Sequence, residues 1–223
     1  MEVVNELCDL LQTHANRDKV VALASYTLKL WGSTSNRKNL LNASARLTSA
    51  RATLRIFDDA AVLKAALTYG LGTQDGPCWG TLGVASNIFT LSYLQAEKLI
   101  FLMDTGILSL NANLDYQIRT AHKTFWTLFT VIGFVRSIRA LHITAQNLRD
   151  HDRPKCAPAR FVQASLVTTK YLLDIIHVVN WLPPGYLWGG VLENKHTAGV
   201  ATLSGVLGLL IHYRGKRLMQ RNS

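Results

Sequence analysis

The sequence predicts an all-α, membrane-associated protein with amphipathic helices and one or two transmembrane helices. Three observations carry that reading. The five prolines stand at positions 77, 154, 158, 183 and 184, so long stretches run without a breaker. Alternating β-branched runs are missing, and apolar residues recur at helical spacing instead. The 223 residues are 48% hydrophobic and only 17% charged, against about 25% charge in ordinary soluble domains. That hydrophobicity argues against disorder.

The net charge of +10 is unevenly placed. Up to Asp115 there are 10 Lys+Arg and 10 Asp+Glu, whereas from Arg119 onward there are 14 and 4. A basic half suits either nucleic acid or a membrane surface. Here the cations bracket uncharged apolar segments rather than forming one face beside stacking aromatics, which favours lipid and excludes a nucleic-acid partner. Cys8, Cys78 and Cys156 form no paired motif, so a disulfide scaffold or zinc site is not expected. No basic n-region precedes an apolar run at the N-terminus, and no secretory signal is expected.

Taken in order, helices are expected over 2–14, 18–31, 37–69, 84–110, 114–149, 160–181 and 196–213. They are punctuated by Gly32, the 70–72 Gly-Leu-Gly, the 111–113 polar turn, the 150–158 linker and the 182–185 Leu-Pro-Pro-Gly. This gives a cytosolic-side amphipathic region over 1–118 and a first membrane segment, spanning or re-entrant, over 119–145. A linker with an amphipathic helix follows over 146–195, then a C-terminal transmembrane helix over 196–213 and a basic cytosolic tail over 214–223.

The 37–57 stretch carries the first candidate site. At 100° per residue, Leu40, Leu47, Leu54 and Phe57 fall with Ala43 and Ala50 in one sector about 100° wide. Arg51 and Arg55 flank that stripe on one side and Arg46 on the other. Such arginines can lay their methylenes along lipid and raise guanidinium groups to phosphate level. The same pattern fits a bundle helix with a solvated basic rim.

The second candidate lies at 124–143. Twelve uncharged residues, 124–135, rise only about 18 Å, and the full twenty include Arg136, Arg139 and His142. The third, 196–213, is the better span: it has no formally charged side chain, rises about 27 Å, and is followed by Arg214, Lys216, Arg217 and Arg221. Its Ala201-xxx-Gly205 and Ser204-xxx-Gly208 pairs suit close helix packing in lipid.

Catalytic and cofactor chemistry is not expected. The seven histidines form no ligand or nucleophile motif, and the 70–76 loop lacks phosphate-loop spacing. Asp58 and Asp59, adjacent on a helix, point about 100° apart.

Four strings in family order cover most of the chain: RATLRIFDD at 51–59, YGLGTQ at 69–74, Phe125-Trp126, and NWLPPGYLWGG at 180–190. Together they resemble the peroxisomal membrane protein 11 family, specifically its gamma (C) type. The resemblance implies a multi-pass protein of the peroxisomal membrane with both termini cytosolic, acting in peroxisome elongation, proliferation and fission. It implies homo-oligomers, hetero-oligomers with paralogues, and partners among fission adaptors and a dynamin-like GTPase. A different reading, a pore-forming channel or small-solute transporter, rests on Arg136, because intramembrane ionisable groups often mark pathways.

Overall fold

The computed structural model describes residue 8, residues 11–150 and residues 155–220. Seven α-helices and no strand occur among these residues: α1 (His14–Thr34), α2 (Lys38–Arg55), α3 (Asp59–Tyr69), α4 (Pro77–Asp104), α5 (Ala112–Arg149), α6 (Ala157–Val179) and α7 (Asn194–Gln220). The all-α expectation holds. Of the expected 2–14 helix, only Cys8 and residues 11–14 belong to the described residues.

Several expected boundaries are corrected. The single 37–69 helix is broken into α2 and α3 by a turn at Ile56, Phe57 and Asp58. The turn is tight: Ile56 and Phe57 donate to the carbonyls of Thr53 and Leu54 at 3.4 and 3.5 Å. The helix expected from 84 starts at Pro77, where a proline at the first helical position loses no hydrogen bond. Local chemistry caps others: the Thr13 hydroxyl accepts from Asn16 N–H at 3.4 Å, so α1 starts at His14 and not at the expected 18, and the Asn111 carbonyl oxygen accepts from Leu114 N–H at 2.8 Å.

The helices pack side by side in the order α2, α1, α7, α6, α5, α4. A lighter contact of α2 with α4 brings the two ends of that row together. The interfaces are built of small and hydroxyl-bearing residues. Between α1 and α2, Ser25 Oγ bonds the Ser44 carbonyl at 3.0 Å and Thr48 Oγ1 at 2.8 Å, and Ser44 Oγ bonds the Ser25 carbonyl at 2.8 Å. Thr127, Thr130 and Ser137 are buried on α5, and Ala198, Ala201 and Ser204 on α7.

The C-terminal end of α6 holds an aromatic and apolar cluster. Val178, Val179 and Leu182 pack with Trp126, Ile175 and Trp188. His177 meets the edges of Tyr26 and Trp126 at centroid distances of 5.3 and 5.9 Å. The 180–190 string forms the fastening beneath it. Asn180 accepts from Leu192 N–H at 2.8 Å and donates to the Leu192 carbonyl at 3.1 Å, while Trp188 donates to the Ile176 carbonyl at 3.2 Å.

Gly205 of α7 sits against Leu23 of α1. A Cβ there would lie 3.1 Å from Leu23 Cδ1 and 3.5 Å from Leu23 Cβ. Gly205→Leu is therefore expected to push the two helices apart and cost about 1–3 kcal/mol. Thermal unfolding of the detergent-solubilised protein checks it, with Gly199→Leu, where the nearest atom is 3.8 Å away, as the milder comparison.

Candidate membrane interface

The residues that face outward are the large apolar ones. On α5, Leu128, Val131, Val135 and Ile138 form one exposed stripe at alternating three- and four-residue steps, and Ile143 is exposed further along the helix. Thr127, Thr130 and Ser137 occupy its buried side. α7 repeats the pattern: Leu203, Val206 and Leu210 point out while Ala198, Ala201 and Ser204 point in. In water this distribution would be inverted. In lipid it is favourable, because tails solvate the leucines and small residues let helices approach.

Among the described residues one helix, α5, is long and apolar enough to cross a membrane, and only 11% of its apolar 18-residue window is buried. A soluble core helix would be mostly buried. The 196–213 stretch, preferred from sequence as the stronger span, does not reach that combination. Three glycines and histidines at both ends dilute its apolar content. Its candidate packing residues are engaged within the chain. Ala201 and Ser204 are 2% and 3% exposed. Ser204 donates to Asp174 of α6, Gly205 faces Leu23, and the Gly208 Cβ position lies 3.3 Å from Lys170 Cε.

Arg136 stands in the α5 stripe's own segment but is paired. Its Nη2 lies 2.9 Å from Asp75 Oδ2, the Tyr69 hydroxyl donates to the same oxygen at 2.7 Å, and the guanidinium lies 5.3 Å from the Tyr69 ring centroid. Gly72, at φ 65, and Gly83 leave the room that the Tyr69 ring fills. The YGLGTQ string thus delivers Asp75 to Arg136. One turn on, Arg139 lies 4.7 Å over the Trp79 ring. The oddity that suggested a solute pathway has an intramolecular counter-ion.

α2 packs by an unexpected face. Its buried residues are Ser44 and Arg51, rotated by tens of degrees from the apolar stripe on a helical wheel. The stripe is consequently left partly uncovered: Leu40, Leu47 and Ala43 are half-buried, Ala50 is exposed, and Leu54 and Phe57 are 52% and 82% exposed. Arg46 is exposed. Arg51 is 8% exposed and forks onto Asp18 of α1, Nε to Oδ1 at 2.8 Å and Nη2 to Oδ2 at 2.9 Å. Arg55 Nη2 reaches Glu97 Oε1 of α4 at 2.6 Å and lies 5.9 Å from the Tyr93 ring centroid. His14 and Asp58 meet at 3.0 Å across the same junction. Sequence reasoning placed all three arginines at the headgroup level and found neither acid partner.

These pairs set the local electrostatics. Burial works against the Asp18 charge, but the Arg51 hydrogen bond and the nearby positive charges of Arg51, Arg55 and His14 outweigh it and hold the carboxyl below its ordinary 3.8. Burial likewise opposes the Arg51 charge, and the Asp18 bond holds it above its usual range. A carboxyl depressed on folding contributes stability above its unfolded pKa and loses it as pH falls through the folded value. The contribution of the Asp18–Arg51 pair to the α1–α2 contact is therefore expected to be lost only as pH falls below about 4. Hydrogen exchange of α2 amides as pH falls through that value checks it.

Outward apolar stripes on α5 and α7 with small or hydroxyl-bearing residues on their buried sides, and one helix long and apolar enough to span, fit a helical membrane protein. The comparisons agree. The chain matches the family model of peroxisomal biogenesis factor 11 (PEX11) over residues 4–212. It is 27% identical over 243 aligned residues to peroxisomal membrane protein 11C of Mus musculus, covering all of both chains, and 25% identical over 229 to peroxisomal membrane protein 11C of Homo sapiens, covering 94% of each. No solved structure matches. The chain belongs to the PEX11 family of peroxisomal membrane proteins of peroxisome biogenesis, and the gamma (C) resemblance agrees with the names of both relatives.

Proposed function

We propose that this chain elongates the peroxisomal membrane and promotes peroxisome proliferation and fission by inserting the apolar edge of α2 into the cytosolic leaflet. The observation that carries the reading is that α2 packs through Ser44 and Arg51 and leaves Leu54, and Phe57 in the turn that follows, outward. Leu40 and Leu47 extend that edge, and the exposed Arg46 is placed to meet phosphate. A wedge on one leaflet expands that leaflet and bends the bilayer towards itself. α5 anchors the chain, and the 196–213 stretch of α7 completes a second pass that leaves both termini cytosolic. Homo- and hetero-oligomers with paralogues would concentrate wedges, and the fission adaptors and dynamin-like GTPase of the family would act on the resulting tubule.

Purified full-length protein reconstituted into vesicles tests this. Vesicles of phosphatidylcholine with phosphatidylserine are expected to be drawn into tubules, and vesicles of phosphatidylcholine alone much less so. Protein that inserts but leaves both vesicle types spherical would sink the reading.

A further inference from the structure

Arg51 and Arg55 flank the apolar edge of α2, yet neither is free to meet a lipid. Their partners, Asp18 and Glu97, come from α1 and α4, so both ties break together if α2 moves away. Carboxylate and phosphate offer the arginine fork the same planar pair of acceptor oxygens, and Asp18 takes that bidentate geometry. We propose, resting on the reading above, that Asp18 and Glu97 are internal stand-ins for lipid phosphate that hold α2 closed, and that anionic headgroups open α2 by taking Arg51 and Arg55.

Four features of the closed arrangement support exchange. The Glu97 pair is incompletely satisfied: Arg55 Nε and Glu97 Oε2 are both buried without a hydrogen-bond partner in the chain. Removing such groups from burial relieves an unpaid desolvation cost. The hydrogen bonds in the middle of the α1–α2 seam are those of Ser25, Ser44 and Thr48, whose hydroxyls can rebond to water or headgroups, and the apolar part of the seam, Leu40 and Leu41 against Gly32, would pass into lipid rather than water. α2 has turns at both ends that can pivot, Ser35 to Arg37 with Asn36 at φ 52, and Ile56 to Asp58. Finally, opening frees the half-buried Leu40 and Leu47 and releases Arg51 and Arg55 on one flank of the stripe while Arg46 stands on the other, so the complete wedge assembles only where phosphate is present. A ligand shifts such an equilibrium only by binding one state better, and here the arginines are available to it only in the open state.

The test locks the seam in the full-length chain. Ser25 Oγ and Ser44 Oγ are 3.2 Å apart, near enough for a Ser25→Cys/Ser44→Cys double variant to close a disulfide, with Cys8, Cys78 and Cys156 replaced by serine. Reconstituted in phosphatidylcholine and phosphatidylserine vesicles, the oxidised protein is expected to lose tubulation about tenfold and regain it on adding dithiothreitol. A second variant, Asp18→Asn/Glu97→Gln, removes the competing acids with little change of shape and is expected to reach half-maximal tubulation at about threefold less protein. Oxidised protein that tubulates as well as reduced protein, or acid variants that need as much protein as wild type, would overturn the latch and leave the wedge standing. Wild-type protein that never deforms the vesicles would overturn both.

Discussion

Phe57→Glu is expected to weaken membrane attachment of the α2 edge by about 100-fold and to abolish vesicle tubulation, with no change in helix content. Phe57 ends the apolar stripe and is 82% exposed, so the fold does not depend on it. Transfer of a phenylalanine side chain into lipid is worth about 2–3 kcal/mol, and a glutamate at the same depth adds repulsion from anionic headgroups. Since 1.4 kcal/mol is tenfold, the loss of the aromatic side chain alone accounts for most of that factor. Vesicle tubulation reads the loss, and far-UV circular dichroism in detergent reads the intact helices. Ser49→Glu, on the far side of the same helix and exposed, is the matched control and is expected to leave tubulation unchanged.

Asp75→Ala is expected to be the most destabilising substitution of a charged residue in the α4–α5 pair, and Asp75→Ala/Arg136→Leu to recover most of the loss. Removing the acid strands Arg136 within the apolar segment of the one helix fit to span, which costs about 3 kcal/mol. Removing both charges leaves an aliphatic side chain where the neighbouring stripe is already Val131, Val135 and Ile138. The deviation from additivity in thermal unfolding of the four variants measures the pair directly. A channel that used Arg136 as its pathway charge would instead show normal stability in Asp75→Ala and altered solute flux in Arg136→Leu.

The long helices were legible in the sequence because their period and their caps are local. Asn111 marks the start of α5 and the Pro-Pro-Gly string follows the end of α6, and the expected spans differ from these helices by a few residues. The break between α2 and α3 was not legible. Residues 55–59, Arg-Ile-Phe-Asp-Asp, contain no glycine or proline, and what bends the chain there is tertiary: Arg55 is drawn to Glu97, Asp58 to His14, and Asp59 to Lys98 of α4.

The candidate site divides in the same way. The wheel groups Leu40, Leu47 and Leu54 on one face of α2, since spacing alone fixes which side chains share a face, but Phe57 lies in the turn beyond the helix. The wheel could not tell which face would pack. No acid lies near Arg51 in sequence before Asp58, so the arginine looks free, but Asp18 and Glu97 arrive from 33 and 42 positions away through helix packing. Arg136 was misleading for the same reason, with its partner Asp75 61 positions distant. The one available signal was arithmetic. A first half with equal acids and bases leaves few cations to spare, which favours internal pairing over a free basic surface.

Insertion of α2 is the claim on which the functional account stands, and a depth scan measures it directly. Single cysteines placed from 46 to 57 in the cysteine-free full-length chain, each carrying a nitroxide, report lipid depth through collision with oxygen and with an aqueous nickel complex. With anionic vesicles the account predicts that 47, 50, 54 and 57 contact the lipid phase, that 49 and 53 stay in water, and that depth oscillates at the 3.6-residue helical period. A scan in which 54 and 57 remain as water-accessible as 49 and 53 would contradict it.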